Sequence, residues 1–387
     1  MRAQVRNSDD PLARAMEKFR AAKLDMVEEY RAPHVRPWIV GYSGGKDSTL
    51  LLQLVFEILL DLPRSDRRRP VHVVTNDTLV ESPLVLRYVD GMLAKLEDAA
   101  SSLGLPIIVA KTTPTPDQTF WVNLIGRGYP SPNRTFRWCT DRMKIQPTSA
   151  YIRQEVAANG EVILLIGVRR DESATRAASV EKYRNGGARL NPHNDLAGCL
   201  VYRPIVDFAT DEVWQLLLQR PPPWGGSHRD IITLYRNAQG GECPLVIDKS
   251  QAPSCGSSSS RFGCWTCTVV EKDRSMEGFI DAGFEEMEPL LRFRNWLAQI
   301  RGDLTMRESE RRSGAFSYKR DGALIPGPFT ITARQQILAQ LLELQEEVGM
   351  QLITLEEISL IRGIWADDTV TSAARRRVRL SVVGGAE

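Results

Sequence analysis

The most constraining feature of this sequence is a strand–turn–helix pattern at residues 39–53. Two β-branched residues lead into a turn with two glycines, a leucine-rich run follows, and the stretch reads IVGYSGGKDSTLLLQ. Glycines at 44 and 45 leave backbone N–H groups free to point inward, which bulkier residues would prevent. With the positive end of a helix behind them, these groups form a cradle for an anion. The pattern therefore predicts a phosphate-binding turn at the end of a buried strand.

The side chains of this turn indicate the kind of anion it would hold. Lys46 adds a full positive charge, and the hydroxyl groups of Ser43 and Ser48 add hydrogen-bond donors. Asp47 is an unfavourable neighbour for an anion unless a Mg²⁺ ion stands between them. We therefore expect a polyphosphate with its metal to bind here, with Lys46 and Asp47 as catalytic residues. The binding residues are Ser43, Gly44, Gly45, Lys46, Asp47 and Ser48. The alternative is a plain turn that caps a helix.

Short apolar runs alternate with helical patterns through the first half of the chain. The apolar runs are residues 37–43, 71–75, 106–110, 161–167 and 201–208, which read PWIVGYS, VHVVT, PIIVA, EVILLIG and VYRPIVDF. Strands that alternate with helices form parallel sheets covered on both faces. The sequence therefore predicts an α/β fold with a parallel five-stranded sheet and helices on both faces. Its last strand is expected near an edge because of Pro204.

Ligands of such sheets bind beyond the carboxyl ends of the strands. The residues that follow those ends here are Thr75, Asp77, Gly167, Arg169 and Arg170. Guanidinium groups suit phosphate or sulfate, so Arg169 and Arg170 are predicted to hold a substrate phosphate and to act in catalysis. The other three are expected to line the nucleotide. Lys144 is expected to help neutralise the same anion, with an ordinary exposed lysine as the alternative.

A segment rich in glycine, serine and cysteine spans residues 224–275 and shows little periodicity. It holds four of the six cysteines, which are Cys243, Cys255, Cys264 and Cys267. Only two residues separate the last two, so both of their sulfur atoms can face one metal. Four thiolates suit either tetrahedral zinc or a 4Fe–4S cluster. The sequence therefore predicts a metal site in this segment, with four unrelated cysteines as the alternative.

Composition restricts the class of protein. The 387 residues are 42% hydrophobic and 25% charged, with a net charge of +2, which is ordinary for a globular protein. No apolar run approaches the length of a membrane span, and the N-terminal residues lack the pattern of a secretory signal. We therefore expect a cytoplasmic protein that does not bind a membrane. The arginines at 67–69 are expected to form a solvated surface.

Changes of pattern along the chain predict four segments. Residues 1–35 form a helical segment, and residues 36–220 form the domain that contains the strands. Residues 221–275 form the Cys-rich segment, and residues 276–387 form a helical C-terminal region. The nucleotide and metal sites are therefore expected in adjacent segments of the chain.

Four stretches of this sequence resemble those of known enzymes. The SGGKDS turn is similar to the signature loop of the PP-loop ATP pyrophosphatases, which have an adenine nucleotide alpha hydrolase-like fold. FRWCTDRMKIQP (136–147) and GVRRDESATRA (167–177) resemble motifs of the branch that contains the phosphoadenylyl-sulfate reductases. Together with RFGCWTC (261–267), they resemble the DndC family, the sulfurtransferase subunits of bacterial DNA phosphorothioation. The likeness runs from about residue 36 to residue 275.

The resemblance implies a reaction, cofactors and partners. Enzymes of this kind split ATP between the α and β phosphates and attach AMP to a substrate oxygen, which then becomes a leaving group. In the DndC family that oxygen belongs to a DNA backbone phosphate, and sulfur replaces it. The resemblance also implies ATP with Mg²⁺, a 4Fe–4S cluster on the four cysteines, sulfur from a cysteine desulfurase, and a complex with other Dnd proteins. Cys139, in the second motif, is then either a catalytic persulfide carrier or a small core residue.

Two other functions stay open from the sequence. A PP-loop enzyme that carries a metal cluster and thiolates tRNA would use the same adenylation chemistry. A nucleotide-binding subunit stabilised by zinc and without catalysis would need the same turn and the same cysteines. Incorporation of labelled sulfur into DNA or tRNA, and the metal content, distinguish these functions.

Overall fold

The computed structural model describes residues 10–172, 188–238 and 262–383. The chain divides into two compact units, each built from separate stretches of sequence. The first unit comprises residues 1–76, 82–112 and 147–262, and the second comprises residues 77–81, 113–146 and 263–387. The segment bounds predicted at residues 35, 220 and 275 stay predictions.

The first unit contains a six-stranded sheet. Its strands are β1 (Trp38–Gly41), β2 (Val71–Asn76), β3 (Ile107–Thr112), β4 (Val162–Leu165), β5 (Leu190–Pro192) and β6 (Cys199–Tyr202). Their order is β3-β2-β1-β4-β6-β5, and every neighbouring pair is parallel except β5 with β6. The predicted α/β fold is confirmed, but the predicted number of five strands is wrong. The additional strand, β5, has only three residues, which is too short for a recognisable apolar alternation.

The strand predicted over residues 201–208 is also shorter than expected and begins earlier. β6 ends at Tyr202, and the Val206 N–H donates to the Arg203 carbonyl oxygen at 3.3 Å in the turn that follows. Pro204 has no N–H to donate to a ladder, so the strand cannot continue through it. β6 is covered on its outer side by β5, through the pairing of Leu190 with Tyr202.

Helices cover both faces of this sheet. They are α1 (Pro11–Arg31), α2 (Lys46–Asp61), α3 (Pro83–Leu103), α4 (Gln146–Asn159), α5 (Thr210–Gln219) and α6 (Arg229–Asn237). Successive strand residues point to opposite faces. Val40 and Val73 pack in the cluster that includes α1, α2, α3, α5 and α6, whereas Ile39 and Val74 pack with Ile152 of α4. Every residue from 48 to 59 of α2 is buried, which explains its long apolar run.

A buried ion pair fastens α1 to the sheet. Arg69 Nη1 lies 3.2 Å from Glu29 Oε1, and the other carboxylate oxygen accepts a hydrogen bond of 2.5 Å from Trp38 Nε1. Arg69 is buried rather than solvated, so the expectation of a solvated surface at 67–69 is wrong for this residue. Its charge is tolerated because Glu29 compensates it.

The second unit is mainly helical. It contains α7 (Arg274–Asp281), α8 (Glu288–Ile300), α9 (Ile331–Val348) and α10 (Leu355–Val383), together with a single helical turn at Trp138–Thr140 and π-helical segments at Val122–Gly126 and Asp141–Ile145. The predicted helical C-terminal region is confirmed. In its core the ring of Trp121 lies 5.8 Å from that of Trp265 and 6.1 Å from that of Phe293. In the described part of the chain no helix is both long and apolar enough to cross a membrane.

The stability of the first unit is expected to depend on pH because it contains a buried histidine, His228. His228 Nε2 lies 2.8 Å from Gln53 Oε1, and burial lowers the pKa of His228 to about 4. The unfolded chain, with a histidine pKa of about 6.5, therefore binds this proton first, and the free energy of unfolding falls as the pH drops from about 6.5 to about 4. Between pH 7 and pH 5 this histidine accounts for a loss of about 2 kcal/mol.

Urea unfolding of the wild type and of His228→Gln at pH 7 and pH 5 measures this contribution. The glutamine amide keeps a donor toward Gln53 but does not titrate. We expect the variant to lose less stability than the wild type between the two pH values. If the wild type and the variant lose the same free energy of unfolding, His228 does not cause the loss of stability at low pH.

Candidate functional site

The glycine turn adopts the conformation that only glycine permits without strain. Gly44 has φ of +74°, and a Cβ atom there would lie 2.5 Å from Val89 Cγ2 of α3. Gly45 caps the N-terminus of α2 with its backbone and has no capping side chain. The turn therefore places backbone amides at the positive end of a buried helix, as the sequence predicts.

The hydroxyl groups of the turn are used to hold it together. Ser48 Oγ and Thr49 Oγ1 both donate to the Gly45 carbonyl oxygen at 2.9 Å. The Ser43 N–H donates to Ser48 Oγ at 3.3 Å, and the two serine hydroxyls lie 3.2 Å apart. Binding of ATP by Ser43 and Ser48 stays a prediction, and both hydroxyls already have partners within the turn.

Two cations flank the carboxylate of Asp47. Arg169 Nε donates to Asp47 Oδ1 at 2.6 Å, and Lys46 Nζ lies 3.5 Å from Asp47 Oδ2. The Arg169 side chain is 0% exposed, so its charge has no access to water. Because a carboxylate beside a buried guanidinium forms a strong charge-assisted bond, this pair fixes the start of α2 against the residues that follow β4.

Close packing of the backbone makes this ion pair possible. A Cβ atom at Gly167 would lie 3.0 Å from the carbonyl carbon and oxygen of Asp47 and from the amide nitrogen of Ser48. Glycine therefore lets the loop after β4 touch the turn directly, and Arg169 then reaches Asp47. The rest of its guanidinium donates to Phe208 O and to Thr210 Oγ1, each at 3.1 Å.

Arg170 and Asp171 follow with different surroundings. Arg170 is 34% exposed, and its Nη1 lies 3.0 Å from Asp207 Oδ1. Asp171 Oδ2 accepts a hydrogen bond of 2.8 Å from the N–H of Thr210, the first residue of α5. Of the two arginines predicted to hold a phosphate, Arg170 therefore reaches solvent, whereas Arg169 positions Asp47.

Tyr235 is a residue of this site that the sequence did not indicate. Its hydroxyl accepts a hydrogen bond of 3.3 Å from the Lys46 N–H, and Lys46 Nζ lies 5.5 Å from the centre of its ring. The ring packs edge-on against Trp214 at 4.9 Å and Phe262 at 4.6 Å. Because Tyr235 is almost 190 residues from the turn, no local motif connects the two.

Two further residues were predicted at strand ends: Thr75 belongs to the first unit and Asp77 to the second. Thr75 is buried at the end of β2, where its carbonyl oxygen accepts a hydrogen bond of 3.3 Å from Thr112 Oγ1. Asp77 begins the stretch of the second unit at residues 77–81, and its Oδ1 accepts a hydrogen bond of 2.8 Å from Leu79 N. Leu79 has φ of +64°, a strained conformation for a leucine. Their contacts with a nucleotide stay predictions.

The second unit brings thiol groups together with a lysine–glutamate pair. Cys264 and Cys267 lie on one turn, closed by a hydrogen bond of 3.0 Å from Cys267 N to Cys264 O. The Cys264 thiol donates to Glu81 Oε1 at 3.7 Å and lies 3.2 Å from Thr78 Oγ1. Lys144 Nζ lies 3.4 Å from the same glutamate oxygen. One carboxylate oxygen therefore connects a thiol to an ammonium group.

Cys139 also interacts electrostatically with this group of side chains, through Cys267 and Lys144. Burial, and then the negative charge of Cys267, raise the pKa of Cys139. Burial, and then the carboxylate of Glu81, raise the pKa of Cys264. Burial alone would lower the pKa of Lys144, but the charges of Cys264 and Glu81 raise it above its usual value. The role predicted for Lys144 at the substrate phosphate stays a prediction; its partners in the second unit are these thiols and Glu81.

A buried arginine holds the segment that follows the cysteine turn. Arg294 of α8 is fully buried and donates to the carbonyl oxygens of Cys267 at 2.8 Å, Glu271 at 2.9 Å, and Val270. Three backbone acceptors are thereby satisfied by one side chain, which fixes the exit from the Cys264–Cys267 turn. No motif in the sequence indicates this role.

Two of the four cysteines predicted to bind a metal, Cys264 and Cys267, lie among the described residues. Cys243 and Cys255 lie outside them, and within residues 10–172, 188–238 and 262–383 no three suitable side chains are placed to hold a metal ion. The thiols of Cys264 and Cys267 on one turn are a donor pair that suits zinc or an iron–sulfur cluster. Asp47 fits Mg²⁺ poorly, because both of its oxygens already face cations.

Residues 37–270 match the phosphoadenosine phosphosulfate reductase domain family. This match spans more than half of the 387 residues. The chain belongs to that family. The phosphoadenosine phosphosulfate reductase domain thus includes the glycine turn, the Arg169–Asp47 pair and the Cys264–Cys267 turn, so the predicted PP-loop type of nucleotide-binding domain is confirmed. Membership does not distinguish the DndC family from its relatives.

Individual relatives are more distant. An uncharacterized protein of Methanocaldococcus jannaschii is 28% identical over 189 residues, which cover 49% of this chain and 33% of the relative. The chain therefore matches only a third of that protein's length.

Solved structures with a similar arrangement include three from other organisms. Candida glabrata FMN adenylyltransferase with FMN and an ATP analogue has a TM-score of 0.36 at 14% identity, covering 62% of this chain and 65% of that one. Candida auris phosphoadenylyl-sulfate reductase has a TM-score of 0.31 at 11% identity, covering 51% and 81%. The U34-tRNA thiolase NcsA of Methanococcus maripaludis, with its 4Fe–4S cluster, has a TM-score of 0.31 at 14% identity, covering 73% and 80%.

The Tyr235 hydroxyl accepts a hydrogen bond from the backbone N–H of Lys46, and a phosphate bound in the turn would need the same N–H as a donor. We expect Tyr235→Phe to bind pyrophosphate about fivefold more tightly, because one hydrogen bond of about 1 kcal/mol no longer competes with the ligand. The ring contacts with Trp214 and Phe262 are kept. Titration calorimetry measures the affinity, with Tyr318→Phe, an exposed tyrosine, as control. Weaker binding by Tyr235→Phe would show that the hydroxyl helps to hold the anion.

Proposed function

We propose that this protein is an ATP-dependent sulfurtransferase of DNA phosphorothioate modification. The observation that carries the proposal is the glycine turn, in which the Arg169–Asp47 pair and Lys46 lie at the N-terminus of α2. Membership of the phosphoadenosine phosphosulfate reductase domain family supports chemistry on an adenylyl nucleotide. The motifs quoted from the sequence support the DndC family within it.

The first step transfers AMP to a DNA phosphate. A non-bridging oxygen of the phosphate attacks the α-phosphorus of ATP, the bond to the β-phosphate oxygen breaks, and pyrophosphate leaves with the electron pair. Lys46 and the backbone amides of the turn stabilise the charge that develops on pyrophosphate. Asp47, held by Arg169, orients the start of α2. Arg170, which reaches solvent, holds the DNA phosphate in line.

The second step replaces the adenylylated oxygen. Hydrosulfide attacks the DNA phosphorus, the bond to the AMP oxygen breaks, and AMP leaves, so no oxidation or reduction is needed. In the alternative route, Cys139 carries the sulfur as a persulfide and its outer sulfur attacks the DNA phosphorus as AMP leaves. A small-molecule thiol then cleaves the sulfur–sulfur bond by forming a disulfide with Cys139, and a second equivalent of that thiol reduces this disulfide to the free Cys139 thiol.

Cofactors and partners belong to the same proposal. ATP would enter with Mg²⁺, although no step is assigned to the metal, because Asp47 is already paired. Cys264 and Cys267 would hold a 4Fe–4S cluster, or zinc as the alternative, with Cys243 and Cys255. When bound, such a cluster would supply iron that can bind sulfide. A cysteine desulfurase would supply sulfur, and other Dnd proteins would complete the complex on DNA.

Lys46→Ala tests the nucleotide half of the proposal. We expect pyrophosphate release from ATP to fall at least about 100-fold, because a cation that stabilises the leaving group is lost. The melting temperature of the protein and the release by Lys95→Ala, a change at an exposed lysine of α3, are the controls. Release at the wild-type rate by Lys46→Ala would show that the turn does not act on ATP.

Metal analysis of the purified protein tests whether the cysteines hold the proposed cluster. Protein purified without oxygen is expected to contain about four iron atoms and to lose them in Cys264→Ser. Cys199→Ala changes a buried thiol on β6 and is expected to keep the iron. Protein that holds one zinc ion and releases no pyrophosphate would instead fit a non-catalytic nucleotide-binding subunit.

Labelled sulfur identifies the acceptor. With ATP, a cysteine desulfurase and radioactive cysteine, label is expected in DNA. Label in tRNA and not in DNA would contradict the proposed acceptor and would support tRNA thiolation.

A further inference from the structure

We propose that the loop at residues 133–137, Asn-Arg-Thr-Phe-Arg, binds a nucleic-acid strand and brings it to the thiols of the second unit. The inference rests on the proposed function, in which a nucleic acid accepts the sulfur. The loop was not among the predicted site residues.

The loop has a fixed conformation. Asn133 Oδ1 accepts hydrogen bonds from Thr135 N and Thr135 Oγ1 at 2.9 Å each, and from Phe136 N at 2.8 Å. The Asn133 N–H donates to the Phe136 carbonyl oxygen at 3.2 Å. One side chain therefore organises the whole tip, so that ordering it costs little when a ligand binds.

The tip presents two cations and an aromatic ring. Phe136 is 42% exposed, and its ring lies 6.1 Å from that of Tyr129. Arg134 and Arg137, on either side of Phe136, are exposed. Within the described part of the chain neither guanidinium has a hydrogen bond or an ion pair. These two charges are therefore available to a ligand.

Both ends of the loop are connected to cysteines. The carbonyl oxygen of Pro132 accepts hydrogen bonds from Thr268 Oγ1 at 2.6 Å and from Arg301 Nη1 at 2.7 Å. Thr268 is the residue after Cys267. At its other end, the loop enters the helical turn Trp138–Thr140, which contains Cys139. The tip is thus held at a fixed place relative to the thiols within the second unit.

This combination fits a nucleic acid. Exposed aromatic rings stack on unpaired bases, and arginines bind the phosphates between them. A chain with a net charge of only +2 needs a local cationic surface to bind a polyanion, and the two available arginines provide one.

Fluorescence anisotropy with the full chain tests the inference. The probes are a labelled single-stranded DNA of twenty nucleotides and RNA of the same sequence. Arg134→Gln/Arg137→Gln is expected to weaken binding about tenfold and to reduce the salt slope by about 1.4, because two phosphate contacts are lost. Phe136→Ala is expected to weaken binding about tenfold without changing the slope, and Phe136→Trp to restore it.

A matched control removes the same charge elsewhere. Arg20→Gln/Arg153→Gln changes two exposed arginines of the first unit and is expected to bind as the wild type does. If the loop variants bind as this control does, the inference is overturned while the proposed function stands. If the loop variants change the oligomeric state instead of the affinity, the loop is a protein contact and the inference is wrong.

Sulfur transfer by the wild type separates the two proposals. If the loop variants bind nucleic acid more weakly but the wild type incorporates no sulfur into any nucleic acid, the loop is a binding site and the proposed function is wrong. Failure of the wild type to bind either probe would remove the inference. The tighter-binding probe, DNA or RNA, indicates which type of nucleic acid the loop binds.

Discussion

The candidate nucleotide site depends on the contact of two backbone segments at Gly167. A Cβ atom there would lie 3.0 Å from backbone atoms of Asp47 and Ser48, so the loop after β4 would have to move back from the start of α2 by a few tenths of an ångström. Because it does approach, the fully buried guanidinium of Arg169 reaches the Asp47 carboxylate, which is 14% exposed, and Asp47 then faces Lys46. Breaking a buried pair by removing one partner typically costs about 3–5 kcal/mol, since an uncompensated charge remains. The anion cradle is therefore prepared before any ligand arrives, by residues that are far apart in sequence.

The thiols of the second unit are held in a comparable way. Arg294 fixes the exit of the Cys264–Cys267 turn through backbone carbonyls, and Glu81 connects Cys264 with Lys144. A lysine near several thiols stabilises them when they carry negative charge, as they do on a metal or as persulfides. Within its own unit Lys144 is thus suited to thiol chemistry, which gives a physical reason for a lysine five residues after Cys139 in the second motif.

Much of the first unit was predictable, because its determinants are local. Apolar runs of strand length and a glycine turn before a leucine-rich helix identify β1 to β4 and α2 from neighbouring residues alone. β5 was missed because three residues, one of them Pro192, carry no periodicity. Arg69 was misjudged and Tyr235 was missed for another reason: their partners Glu29 and Lys46 lie 40 and 189 residues away. The pairing of Arg169 with Asp47, 122 residues away, was not predictable for the same reason. Sequence indicates that such residues can pair but not with which partner.

The central claim is that AMP is attached to a phosphate oxygen of DNA, which sulfur then replaces. Its most direct test is the fate of that oxygen. A DNA substrate whose non-bridging phosphate oxygens are ¹⁸O is incubated with the protein, unlabelled ATP, a sulfur source and any partner proteins required, and the released AMP is examined by mass spectrometry. The account predicts AMP that carries one ¹⁸O atom for each phosphorothioate formed. AMP without ¹⁸O, formed while DNA acquires sulfur, would show that adenylylation takes place on another group and would contradict the account.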